Sequence, residues 1–335
     1  MKFSVGYTTG ASEQFLQEIV RLKKDIKEVY FSWGTMPSGR NAQTKVATLT
    51  PWEAQAKQLR DLTYLHGEGL IFNLLFNANC YGDGAQSRAF FESVGETVDY
   101  VGTHFSLGSV TTTSPLVARF LKQNFEEVDV RASVNMGIGT TRAMEYVADL
   151  FDSFYVKREL NRDLAALGEI RRWCDQNGKE MYLLANSGCL VDCAAHTFHD
   201  NLVAHEAGAE KMDNGYQFEG LCRTYLAQNR AGLLDATSYI RPEDTALFEG
   251  LTPAMKLATR VHGCPERVLR AYIEKKSYCG NMAELLEPNH AGTIYPYVLD
   301  NGKIERVLEN GKLIYKNADG AFVKLEENYA YQQND

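Results

Sequence analysis

Two cysteines with three residues between them, Cys189 and Cys193 in ANSGCLVDC, are the side chains whose type and spacing most clearly allow chemistry. They follow the apolar run MYLLA, which has strand length, and Asn186, Ser187 and Gly188 are turn formers that end it. His196, His199 and His205 come next. Soft thiolates on a loop carried by a rigid strand suit zinc or an iron-sulfur cluster, although paired buried thiols with no metal would give the same pattern. Mixed nitrogen and sulfur ligation of zinc by Cys189, Cys193, His196 and His199 is permitted by spacing, and a hydrolytic zinc would need a carboxylate base, for which Glu206 or Glu159 is available.

Other polar groups stand where strands are expected to end. Glu159, Asn161, Arg162 and Asp163 crowd into RELNRD: Glu159 has the chemistry of an acid or base and Arg162 that of a carboxylate or phosphate clamp. The plainer reading makes Asn161 a helix cap and Glu159 with Arg162 an ion pair. Arg241, Glu243 and Asp244 in IRPED carry the same ambiguity, since Pro242 and its acidic neighbours can simply start a helix. Lys256 lies inside the apolar run MKLAT, where a lysine requires a partner; with Arg260 it is a candidate for holding an anionic substrate.

The elements that must position these residues alternate. Strands are expected at Lys2 to Thr8, Glu28 to Trp33, Leu70 to Phe76, Tyr100 to Phe105, Val128 to Val134, Ser153 to Lys157 and from Met181, with helical periodicity between them. Seven strand-helix alternations before residue 190 imply parallel strands joined by helical crossovers. The α/β fold expected is therefore a TIM-like (β/α)8 barrel, and no glycine-rich phosphate loop after the first strand argues for an open doubly wound sheet. In a barrel the loops after strands carry function, which selects Asn79, Cys80, His104, Asn135, Glu159, Asn161, Arg162, Asn186 and Cys189. Residues 1–291 are assigned to the barrel, with a cysteine-bearing insert at about 187–235 that includes Cys222. Thr237 to Arg241 resembles another strand, followed by the apolar segment Met255 to Thr259. Residues 292–335 read as a small β-rich appendage, because DNGK from Asp300 and ENGK from Glu309 are hairpin signals, with a disordered end at YAYQQND.

Composition narrows the classes. Hydrophobic content of 44% with 23% charged residues suits a globular domain with a sizeable core, and a formal charge of −8 argues against non-specific duplex binding as the main activity. No stretch approaches the length of a membrane span and the first residues lack the apolar core of a signal peptide, so a cytoplasmic protein is expected. Seven cysteines then read as thiols and ligands rather than disulfides.

YVKRELNRDL, LLANSGCLVDCAAHTFHD, SYIRPED, MKLATR and YCGNMAELL, in this order, resemble the collagenase-like peptidase family U-32, in its anaerobe-type branch. The resemblance covers about Tyr155 to Leu286, and reaches the first half only through its alternation and FNANCYG. It implies a barrel holding a 4Fe-4S cluster through four cysteines and assisting hydroxylation or related modification of an RNA base or a small aromatic substrate. On that resemblance Cys189, Cys193 and Cys222 are ligands and Cys80 is the expected fourth, with Cys264 as rival. Cys174 is assigned to core packing and Cys279 to a structural turn. The cysteine pattern departs from the family's better-known signature, so a zinc-dependent peptidase and a non-catalytic scaffold with a structural metal remain as alternatives, with a protein partner also possible.

Overall fold

In a computed structural model, residues 1–34, 36, 38–39, 49–205, 220–317 and 320–325 are described. Eight parallel strands close into a barrel: β1 (Lys2–Gly6), β2 (Ile26–Phe31), β3 (Phe72–Phe76), β4 (Leu107–Thr112), β5 (Asp129–Ala132), β6 (Ser153–Tyr155), β7 (Glu180–Leu184) and β8 (Ala254–Leu257). They pair in chain order, and β8 returns to β1 with Lys256 opposite Ser4. The barrel expectation therefore holds.

The helices on its outside start where the sequence supplies caps. Ser12 caps α1 (Glu13–Arg21), Ser87 caps α3 (Arg88–His104) and Ser114 caps α4 (Pro115–Asn124). Thr50 and Glu53 form a reciprocal capping box on α2 (Pro51–Gly67), satisfying amides that the first turn leaves unpaired. Further helices are α5 (Thr141–Glu145) and α6 (Leu164–Gln176).

One expected strand is wrong. Tyr100 to Phe105 is the last turn of α3, whose buried Val94, Thr97, Val98 and Val101 follow helical spacing. β-branched and aromatic content imitated a strand there; β4 begins after it. His104 consequently ends a helix, bonded to the Tyr100 carbonyl at 2.8 Å, and does not follow a strand. Thr237 to Arg241 is likewise no regular strand, touching the sheet pattern only through an isolated bridge from Thr237 to Leu190.

The barrel's interior is polar. Glu28, buried on β2, accepts from Ser4, Asn73 and Ser109 and pairs with Arg131 of β5 at 2.5 Å. Burial alone would push the Glu28 carboxyl up, but the Arg131 charge and these donors hold it below the usual range. Arg131 lies 4.1 Å from the centroid of the Tyr182 ring.

After β8 come α10 (Pro265–Leu269), α11 (Ala291–Ile294) and β9 (Tyr297–Leu299), then β10 (Glu305–Glu309), β11 (Lys312–Lys316) and β12 (Phe322–Lys324), numbering that leaves α7 to α9 for the insert. Asn310 and Gly311, both at positive φ, make the β10–β11 hairpin that ENGK announces. DNGK forms a single 3₁₀ turn capped by Asp300 instead. The final YAYQQND lies outside the described residues.

Candidate active site

The turn after β7 is fixed from several sides. Asn186 accepts from the Ala258 amide at 2.7 Å and donates to the Leu285 carbonyl at 3.0 Å, tying the end of β7 to the segments after β8. Gly188 has no room for a side chain, since a Cβ would come within 2.5 Å of the Pro288 carbonyl. Its own carbonyl meets His290 Nε2 at 2.8 Å. Burial drives the His290 imidazole down to about 4, so the ring is neutral and Nε2 donates to that carbonyl.

Cys189 emerges from this clamp. Its Sγ receives a hydrogen bond from Arg158 Nη1 at 3.2 Å, and Arg158 Nη2 donates to Asn135 Oδ1 at 3.1 Å. The chain then passes Cys193 and forms α7 (His196–Ala204); beyond the undescribed residues, α8 (Leu221–Gln228) carries Cys222 in its first turn and α9 (Gly232–Asp235) follows. Cys189, Cys193 and Cys222 line one cavity of about 620 Å³ together with Arg158, His196, His199, Asp200 and Arg223. That volume is within the range of ligand sites. Burial, and the charge of Cys189 and Cys193 as thiolates, push the Cys222 thiol up. A cation bound among these sulfurs would offset that rise at Cys222.

The donor set fits a thiolate-held centre in type and in proximity to one cavity. As the side chains stand, no three His, Cys, Asp or Glu among the described residues are gathered tightly enough to hold an ion. Cys80 does not line the cavity: its sulfur accepts from the Gly82 amide at 3.5 Å, while its neighbour Asn79 reaches Asp200 at 3.4 Å on the cavity wall. Cys264 is exposed, next to lining residue Gly263. Cys174 is buried in α6 as expected, its thiol pushed to about 11 by burial, whereas Cys279, expected to be structural, is exposed.

The histidines divide. His196 and His199 face the cavity, and His205 is exposed at the end of α7. His196 stands 3.9 Å from Glu159 and 3.4 Å from Asp200, and burial followed by the Arg158 charge lowers its basicity against the pull of both carboxylates. Glu159 therefore faces a histidine, not Arg162, and Asp163 caps α6 in place of Asn161, which donates to the Leu184 and Ser238 carbonyls. Glu206 lies outside the described residues.

Arg162 and Arg241 are drawn away from the mouth. Arg162 donates to the Leu234 carbonyl at 2.7 Å and sits 4.9 Å from the Tyr315 ring centroid. Arg241 is held by Asp244 at 2.8 Å, by the Ile304 carbonyl at 3.0 Å and against Tyr315. Both join the β10–β11 hairpin to the barrel, and neither is among the residues that line the thiol cavity.

Lys256 is inside the mouth. It lines a smaller space of about 90 Å³ whose walls share Arg158, Cys189, Asp200, Val261 and Glu287 with the thiol cavity. Sequence reasoning missed Arg158, Asp200 and Glu287. Arg158 was legible as the third residue past β6, and Asp200 as one helical turn after His196.

No protein-family model matches the chain. A protein of Methanocaldococcus jannaschii described as an uncharacterized protease, MJ1657, is 25% identical over 304 residues, which are 87% of this chain and 84% of that protein. A solved structure described as the U32 peptidase Mk0906 superposes with a TM-score of 0.54 over 76% of this chain and 91% of its own, at 14% identity, a likeness of fold. The sequence likeness is thus to a protein described as a protease, and the structural likeness to a U32 peptidase is one of fold. No helix among the described residues is long and apolar enough to cross a membrane.

Proposed function

We propose that the chain is an iron-sulfur enzyme or enzyme accessory, holding a 4Fe-4S cluster through Cys189, Cys193 and Cys222 and assisting modification, such as hydroxylation, of an RNA base or a small aromatic substrate. The observation that carries this reading is the presence of those three thiols, from two separate segments, on the wall of one cavity above the barrel. A fourth donor would come from a cysteine outside that wall, Cys80 as first expected or Cys264, or from His196 or His199, which already face the cavity. When bound, such a cluster supplies one-electron chemistry. The protein's own part is to orient and insulate. Arg158 offers a hydrogen bond to a cluster sulfur ligand, the kind of contact that sets a potential. Arg158 and Arg260 give the space below it positive charge.

Metal analysis tests the reading. Protein purified without air is expected to be brown and to contain iron and acid-labile sulfide in equal amounts, about four of each per chain. Colourless protein with neither would reject it.

A second reading, a zinc-dependent peptidase, is favoured by one observation besides the relative's description as a protease: His196 and His199 stand on the same wall as the thiols, with Glu159 behind His196. It predicts zinc near one per chain and peptide cleavage abolished by a chelator.

A further inference from the structure

Lys256 has an unusual setting for a charged side chain. It is 6% exposed, and among the described residues its Nζ has no hydrogen bond or ion pair. Its neighbours are ring faces, with the centroid of Tyr30 at 4.0 Å and that of Tyr155 at 5.0 Å. The carboxylate that could have balanced it, Glu28, is taken by Arg131 at 2.5 Å and by three neutral donors. Arg260 after β8, Arg131 on β5 and Arg158 after β6 add charge of the same sign, while Asp200 and Glu287 stand on the wall of the space that Lys256 lines without an ion pair to its Nζ.

We propose that Lys256 is a reactive amine at the barrel floor that forms an imine with a small 2-oxo acid entering through the thiol-lined mouth. The Nζ lone pair adds to the carbonyl carbon, the resulting carbinolamine loses water, and C=O is exchanged for C=N with no change of oxidation state. Both hydrogens of that water come from the amine itself, so the exchange needs no outside proton source. A space of about 90 Å³ holds roughly three water volumes, enough for a carbonyl and a carboxylate and little else. The carboxylate has counter-charges on the same wall, Arg260 and Arg158, the second with a buried Nε that lacks a hydrogen-bond partner among the described residues, set against Asp200 and Glu287 there. Burial and then Arg260 lower the amine's basicity well below that of an ordinary lysine, against the pull of Glu28, which favours its uncharged, nucleophilic form.

The proposal does not depend on which centre the thiols hold. Full-length protein purified without air is incubated at pH 7 with glyoxylate and sodium cyanoborohydride, which reduces an imine to a stable secondary amine, and adducts are mapped by peptide mass spectrometry. A lysine in water is uncharged at pH 7 only to the extent of about one part in a thousand or less. Lys256 is therefore expected to react at least tenfold faster than the exposed Lys24 and Lys276 of the same molecules, with pyruvate slowing only the Lys256 reaction. Lys256→Met should lose that adduct and keep the others. Labelling of Lys256 no faster than Lys24 and Lys276, or its absence, overturns the proposal, and this comparison within the wild-type protein needs no variant to fold. Iron measured on the same sample separates the two ideas: a full cluster above an unlabelled Lys256 removes only the imine, and a labelled Lys256 without iron removes only the cluster.

Discussion

The joint around Asp244 and the mouth around Cys189 are both dense in polar groups, yet they differ in whether those groups are already satisfied. At the joint, Asp244 is fully buried and receives Arg241 at 2.8 Å, Arg306 at 2.9 Å and the Tyr315 hydroxyl at 2.8 Å. Both carboxylate oxygens of Asp244 are thus matched by donors inside the protein. At the mouth, three thiols face a cavity with one guanidinium bonded to one of them. A charged motif that closes on itself holds a fold together, whereas one that faces open volume is available for chemistry.

The contrast can be broken by variants on each side. Asp244→Ala leaves Arg241 buried without its carboxylate, and a loss of about 3–5 kcal/mol is expected in denaturant unfolding, with metal content per folded chain unchanged. Loss of metal at retained stability would mean the two regions are not separate.

A pH series probes the mouth through His290. Its folded-state pKa lies below the unfolded value, so between the two the unfolded chain binds the extra proton. Stability should therefore be intact above about pH 6.5 and fall as pH drops toward about 4, by up to roughly 1.4 kcal/mol per pH unit. His290→Gln should flatten that part of the profile; an unaltered slope in the variant would assign the acid sensitivity elsewhere.

Arg158→Met should weaken retention of the metal centre about 10- to 100-fold against a competing chelator, as loss of a hydrogen bond behind a ligand does elsewhere, while the unfolding midpoint moves little. A full centre held as tightly as in the wild type would remove Arg158 from the site. The smallest effect belongs to the joint's rim. Arg306 is 44% exposed in its side chain, and Arg306→Met should cost about 1 kcal/mol or less.

The sequence revealed the barrel because alternation is a long-range pattern that survives local errors such as the misassigned end of α3. Cys189 and Cys193 stood out by their spacing after an apolar run and Cys222 through the family resemblance, and the structure brings all three to one cavity wall. The sequence could not separate IRPED from RELNRD, since both present arginine beside carboxylates, and only tertiary contact shows that Arg241 meets the β10–β11 hairpin while Arg158 meets a sulfur. Lys256 was visible as an oddity in an apolar strand, but its lack of a carboxylate follows from Arg131, a residue 125 positions earlier. The same holds for Cys80, whose loop comes near the mouth without turning its sulfur toward it.

Iron and sulfide content of single cysteine variants, prepared without air beside the wild type, tests the convergence of the thiols most directly. Cys189→Ser, Cys193→Ser and Cys222→Ser should each fall to a small fraction of the wild-type content, and Cys279→Ser, which alters an exposed thiol away from the cavity, should keep it. Wild-type iron in Cys222→Ser, or equal losses in Cys279→Ser, would contradict a single centre gripped by those three sulfurs.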